Sequence, residues 1–120
     1  MSGLAGALTL GRRSVVLVAF PFSDLSAQKL QPALVLANAG RGDWLLCQIT
    51  SKPYGDLNAV ELVNADFEAG SRQLTSYARP MKLFTAHESL VRGVAGSLKA
   101  MAQQRVVAQL VALLGGDAEA

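Results

Sequence analysis

Three groups of polar side chains in this sequence stand at the ends of apolar runs, where they can act together on one substrate. Lys29 and Gln31 precede Pro32-Ala-Leu-Val-Leu-Ala37; Thr50, Ser51 and Lys52 close the run that starts at Trp44; Arg79 and Lys82 fall within Thr75 to Thr85. Hydroxyls, an amide and cations gathered on one rim suit a phosphodiester. Cations offset the charge that builds on phosphorus, and hydroxyls or backbone N–H groups hold non-bridging oxygens. A plainer account competes, in which Thr50 and Ser51 cap a turn and the Lys and Arg side chains are solvated. Spacing alone favours that plainer account.

Other chemistries find too few residues. One histidine, His87, and one cysteine, Cys47, supply neither a zinc site nor a Cys/His nucleophile pair. His87 is expected on a surface loop, and Cys47, between Leu46 and Gln48, is expected to be buried and unreactive. The glycines at 3, 6 and 11 precede the first strand instead of joining a strand to a helix, so they do not make a phosphate loop. No metal and no cofactor are expected.

The elements that must position these groups are mostly strands. Ser14-Val-Val-Leu-Val-Ala-Phe20 is a short β-branched run stopped by Pro21, a strand buried on both faces. Pro32 to Ala37 is a second strand with proline at its entry, where a missing N–H is tolerated. Asn38 to Asp43 is expected as a hairpin loop, and Trp44 to Thr50 as a third strand. Ala59 to Val63 alternates like a strand, Asn64 to Gly70 resembles a helical turn or loop, and Thr75 to Thr85 holds one or two strands. A short strand is expected over Arg92 to Gly96. From Ser97 the period becomes helical through Leu98, Met101, Ala102, Val106, Val107, Leu110, Val111 and Leu114, with Ser97 as a candidate N-cap and Gly115-Gly116 as the stop. The fold class is mainly β, a partly closed barrel or curved sheet of about five to seven strands with one C-terminal helix of roughly four to five turns.

Composition sets the bounds. Of 120 residues, 51% are hydrophobic and 17% charged, which excludes a disordered chain and suggests that some apolar surface is covered by a partner. A single domain over 1–120 is expected, loosely ordered over 1–12 and frayed over 115–120, because two cores of about 60 residues each would be marginal. The apolar runs are too short to span a membrane, and Arg12 and Arg13 follow the apolar start instead of preceding it as in a secretory signal. With one cysteine there is no internal disulfide, and a cytoplasmic location is expected. The net charge of +2 conceals segregation. Residues 1–55 carry five Lys/Arg against two acids, 56–70 four acids alone, and 71–105 six Lys/Arg against one acid. Two basic stretches that meet on folding would make a positive surface for phosphates.

Four blocks then carry a resemblance: Val16-Leu-Val-Ala-Phe-Pro-Phe-Ser-Asp-Leu-Ser26, Gln31-Pro-Ala-Leu-Val-Leu36, Gln48-Ile-Thr-Ser-Lys-Pro53 and Ser76-Tyr-Ala-Arg-Pro-Met-Lys-Leu-Phe-Thr85. In this order and spacing, with Phe67-Glu-Ala-Gly70 and the C-terminal helix, the chain resembles the MazF/PemK family of toxin endoribonucleases from about Ser14 to Leu114. The resemblance implies an SH3-like barrel, a homodimer, a small cognate antitoxin that occupies the RNA groove, and metal-independent, sequence-selective cleavage of single-stranded RNA. In that mechanism the 2′-hydroxyl attacks phosphorus, leaving a 2′,3′-cyclic phosphate and a 5′-hydroxyl. Thr50 falls on the family's active-site threonine and Arg79 on a basic residue that some members use as proton donor. Ser26, Ser51, Lys52 and Lys82 complete the expected RNA surface. Two positions depart: Gln31 stands where the family usually has arginine, and Met81 where an aspartate is frequent. Glutamine brings no positive charge and methionine accepts no proton, which leaves Lys29 as the replacement cation. Two further functions remain open: a catalytically degenerate barrel that binds RNA or antitoxin, and an SH3-like peptide-binding module.

Overall fold

Valine-rich runs without helical spacing become strands because branched side chains pack well on a pleated surface. In the computed structural model, which describes residues 10–20, 29–70 and 75–116, the first such run is β1 (Ser14–Phe20). It is followed by β2 (Lys29–Gly40), β3 (Asp43–Thr50), β4 (Val60–Leu62), β5 (Phe67–Ala69), β6 (Ser76–His87), β7 (Val91–Leu98) and the helix α1 (Ala100–Val111). The strands form one antiparallel sheet, in the order β4-β6-β3-β2-β1-β7-β5, curled into a half-barrel. The expected β-rich chain with a C-terminal helix is the one observed.

Several local expectations change. The hairpin loop between the second and third strands shrinks to Arg41-Gly42, both with positive φ (58° and 83°), the two-residue turn that matches strand twist. A Cβ at 42 would also lie 2.7 Å from His87 Nε2, so the exposed imidazole would have to shift to admit one. Of the helical turn or loop expected over Asn64 to Gly70, the turn is present as a 3₁₀ helix at Asn64–Asp66, but it leads into a strand, β5, that was not expected. That strand is too short to show alternation. It packs so close to β7 that a Cβ on Gly96 would lie 2.4 Å from Ala69 O. Ser97 does not cap the helix; it pairs in β7, and Lys99 is the N-cap, with no side-chain capping bond. Gly115, at φ 126°, ends the helical path as expected. His87 ends β6 instead of lying in a loop, and its Nδ1 accepts the Ser89 N–H at 3.0 Å.

Two apolar clusters form. One, under α1, joins Val15, Leu34, Cys47, Ile49, Leu62 and Leu98 to Ala102 and Val106. The other gathers Val16, Val18, Ala33, Val35, Leu46 and Ala86. Alternate residues in the middle of β1, β2 and β3 feed opposite clusters, which is why Val15 to Ala19, Pro32 to Ala37 and Trp44 to Cys47 are apolar without interruption. Asp66 ties the acidic segment to the helix: its Oδ2 accepts the Val63 N–H at 2.8 Å and pairs with Arg105 at 3.2 Å. Burial raises the Asp66 pKa, but these donors outweigh it and hold the group below its ordinary value.

Candidate functional site

β6 is the element that builds the site. Its pairing with β3 runs Asp43↔His87 to Cys47↔Leu83, then jumps to Gln48↔Arg79, so Pro80, Met81 and Lys82 bulge out of the ladder. Proline has no N–H to give a ladder, and a bulge is where that costs least. The bulge resets the alternation. Arg79 thereby faces Gln48 directly, on the same side as Phe84 and Ala86 above it.

The guanidinium of Arg79 is held from two sides. Its Nε donates to Asp56 Oδ2 at 2.8 Å and its Nη1 to Gln48 Oε1 at 3.2 Å. Asp56 is itself fixed, because its Oδ1 accepts the Asn58 N–H at 2.9 Å within the loop after β3. Both side chains of the pair are largely covered, 20% exposed for Arg79 and 9% for Asp56. The hydrogen bond from Arg79 and the Asn58 N–H hold the Asp56 carboxyl below its ordinary value, with a further contribution from the charge of Lys82. Asp56 was not among the sequence candidates. It sits in the acidic segment, and only the fold carries its loop to β6; the one local signal was an aspartate two residues ahead of an asparagine in a turn.

Thr50, two residues past Gln48, shares that face and pairs with Tyr77. Its hydroxyl donates to Lys52 O and accepts the Lys52 N–H, both at 3.1 Å, so it closes the turn Thr50–Lys52. The turn-capping account of Thr50 is therefore observed, and a substrate oxygen would have to compete for this hydroxyl.

On β2, Ala33 pairs with Gln48, and the unbroken β1 register carries Gln31 opposite Val18 and Lys29 opposite Phe20. Lys29 and Gln31 thus alternate onto the face of Gln48 and Thr50. Lys29, Ser51, Lys52, Met81 and Lys82 are exposed, and Gln31 is partly buried. Ser26 lies outside the described residues. Exposed apolar side chains surround the same loops: Tyr54 at 79%, Leu57 at 95% and Met81 at 54%. Cys47, one residue from Gln48, faces the opposite cluster, and burial pushes its thiol up to about 12. Its sulfur is a core atom at neutral pH.

A half-barrel of seven strands with a C-terminal helix, a β-bulge holding an arginine, and a threonine at the neighbouring strand end define a class of small fold that presents polar groups on one rim. The model of the PemK-like, MazF-like toxins of type II toxin-antitoxin systems matches residues 11–114, and the chain belongs to that family. No curated protein sequence is found to match it. Similar solved structures include an endoribonuclease in complex with its cognate antitoxin from a mycobacterial species, 15% identical over 93% of this chain and 99% of that one, with a TM-score of 0.68. The Mycobacterium tuberculosis toxin MazF-mt6 is 15% identical over 88% and 100%, with a TM-score of 0.67. A MazE-MazF structure from Deinococcus radiodurans is 19% identical over 90% and 98%, with a TM-score of 0.69. Identities this low show a shared fold. No helix among the described residues is long and apolar enough to cross a membrane.

Proposed function

We propose that this toxin is an endoribonuclease that cleaves single-stranded RNA at the rim formed by the ends of β2, β3 and β6. The observation that carries the proposal is the held guanidinium of Arg79, on one face with Thr50, Gln31 and Lys29. A guanidinium stays charged at any working pH, so its contribution is to stabilise the phosphorane oxygens. Thr50 and Ser51 hold a non-bridging oxygen, and Lys29 supplies the second charge that Gln31 lacks. Asp56 is the carboxylate in contact with Arg79. It stands in for the family aspartate missing at Met81 and accepts the 2′-hydroxyl proton as that oxygen attacks phosphorus. The P–O5′ bond breaks, the departing 5′-oxygen takes a proton from solvent at the exposed rim, and Asp56 releases the proton it accepted to solvent, which restores the carboxylate. A carboxylate held below its ordinary pKa is a weak base, so a slow enzyme is expected.

Tyr54, Leu57 and Met81 supply apolar surface beside the site. Unstacked bases pack on such surfaces, and a small antitoxin would cover them to block the groove. A homodimer would bring two such rims into one assembly, in the cytoplasm. The direct test is incubation with varied single-stranded RNAs followed by mapping of the ends. Products with a 2′,3′-cyclic phosphate and a 5′-hydroxyl are expected, and a Lys29→Ala, Arg79→Ala double variant should yield none. Gln31 and Met81 favour a second reading, an RNA- or antitoxin-binding barrel without cleavage. Salt-sensitive RNA binding with no product would establish it in place of the first.

A further inference from the structure

At the far end of β1 from this rim lies a cavity of about 380 Å³ lined by Arg12, Arg13, Ala100, Gln103 and Gln104. Val18 of β1 pairs with Gln31 at the rim, whereas Arg13 precedes the strand, so roughly 16 Å of strand separates the two regions. Three observations meet in this cavity. Gln103 is only 3% exposed, and its Nε2 donates to Val35 O at 3.3 Å. Because that carbonyl can only accept, the amide orientation is fixed, and Oε1 is left buried without a partner among the described residues. A buried acceptor in that state calls for a donor.

Secondly, α1 begins here with no cap. Lys99 O takes the N–H groups of Ala102 and Gln103, no side chain caps the end, and the first turn has no acid. The N–H groups of Ala100 and Met101 have no partner among the described residues. Thirdly, the cations are arranged against ordinary preference, since acids are favoured at this positive helix end. Arg12 has no partner among the described residues. Arg13, in the left-handed region at φ 80°, reaches Glu68 and Leu98 O only at 3.3 and 3.4 Å.

We infer that the cavity binds a phosphate that also presents a hydroxyl. The anionic oxygens meet Arg12, Arg13 and the free N–H groups of α1, and the hydroxyl donates to Gln103 Oε1. Hydrogen phosphate carries such an O–H itself; a sugar phosphate supplies one from its sugar. Sulfate has four acceptor oxygens and no donor, so one of them would face Oε1.

The test is a titration of the full chain with inorganic phosphate, ribose 5-phosphate and sulfate at constant ionic strength, followed by ¹H–¹⁵N NMR. A phosphate arm should shift Ala100, Met101 and the Gln103 side-chain amide, with sulfate about tenfold weaker. Arg12→Gln should weaken phosphate binding about tenfold, and Gln103→Leu should erase the preference over sulfate. Tighter binding of ribose 5-phosphate assigns the site to sugar phosphates; tighter inorganic phosphate assigns it to the free ion. Equal binding of sulfate and phosphate, shifts confined to other residues, or no shift at about 10 mM of every probe would overturn the inference. Should Gln103→Leu fail to fold, the sulfate comparison in the unaltered chain decides. RNA cleavage takes no part in this readout, so the site stands or falls separately from the activity proposed above.

Discussion

The two ends of the β1–β2–β3 face both carry arginine, and they differ in what the arginine touches. At the rim, Arg79 is held by Asp56 and Gln48, on a side chain only 20% exposed. At the opposite end, Arg12 is exposed, and beside it Gln103 Oε1 and the first N–H groups of α1 have no partner among the described residues. A held cation is positioned before substrate arrives, so little is lost to reorganisation in the transition state. A cluster of unanswered donors and one unanswered acceptor instead has its requirement met by what binds. The first arrangement suits chemistry and the second suits binding. Substitutions at each end should therefore fail in different ways.

The largest effect is expected at Arg79. Arg79→Ala should lower the rate of RNA cleavage by about 10²–10³-fold, the usual cost of one lost charge donor. Lysine at the same position keeps the charge but loses the planar fork that reaches Asp56 and Gln48 together; it should recover only part of that loss. Single-turnover cleavage with matched RNA binding measures both. Unchanged rates in both variants would mean that the held arginine is a structural brace.

Thr50 comes next. Thr50→Val keeps the shape and removes the hydroxyl, which costs the turn to Lys52 roughly 1 kcal/mol. If the hydroxyl also holds a phosphate oxygen, cleavage should fall by more than tenfold, in excess of that stability change. Parallel measurement of urea unfolding and cleavage separates the two roles. Equal loss in both would leave Thr50 as a turn cap.

Most of the strand pattern was legible, because Val15 to Ala19 and Trp44 to Cys47 are apolar on both faces and leave no helical stripe. What escaped depends on contacts between distant segments. β5 has three residues and is fixed by its approach to Gly96, 27 positions from its last residue. The Arg79 site was legible as residue types only. A rule of strict alternation carried through Pro80, Met81 and Lys82 would have turned Phe84 to the wrong face, and nothing local to Asp56 says that its loop returns to β6. Ser97 misled for a related reason. It is a good capping residue, but the bonds of β7 to Ser14 and of Leu98 N–H to Arg13 O extend the strand past it.

Asp56→Asn probes what holds Arg79. The native carboxyl has a pKa below its unfolded value of 3.8, so its stabilising contribution is complete above that value and fades as pH falls through the folded pKa. The variant should lack this component of acid unfolding and lose about 1 kcal/mol or less at neutral pH. Cleavage should fall about tenfold, because the amide still accepts from Arg79 but takes no proton from a 2′-hydroxyl. An unaltered acid-unfolding profile would show that the pair contributes nothing to the fold.

The smallest effect on cleavage is expected from Arg12→Gln, and it separates the two ends most directly. Arg12 precedes β1 and lies farther from the rim than the roughly 16 Å of chain between Arg13 and Val18, beyond the screening length of about 8 Å at physiological salt. Cleavage should stay within about twofold of the unaltered chain. Stability should rise by a few tenths of a kcal/mol, since removing a cation from the positive end of α1 relieves a repulsion that no acid in the helix's first turn offsets. Added phosphate should then protect the unaltered chain against thermal unfolding more than the variant, because a ligand stabilises the state it binds. A loss of stability in the variant without phosphate would show that Arg12 already has a partner, and the contrast between the two ends would fail at that point.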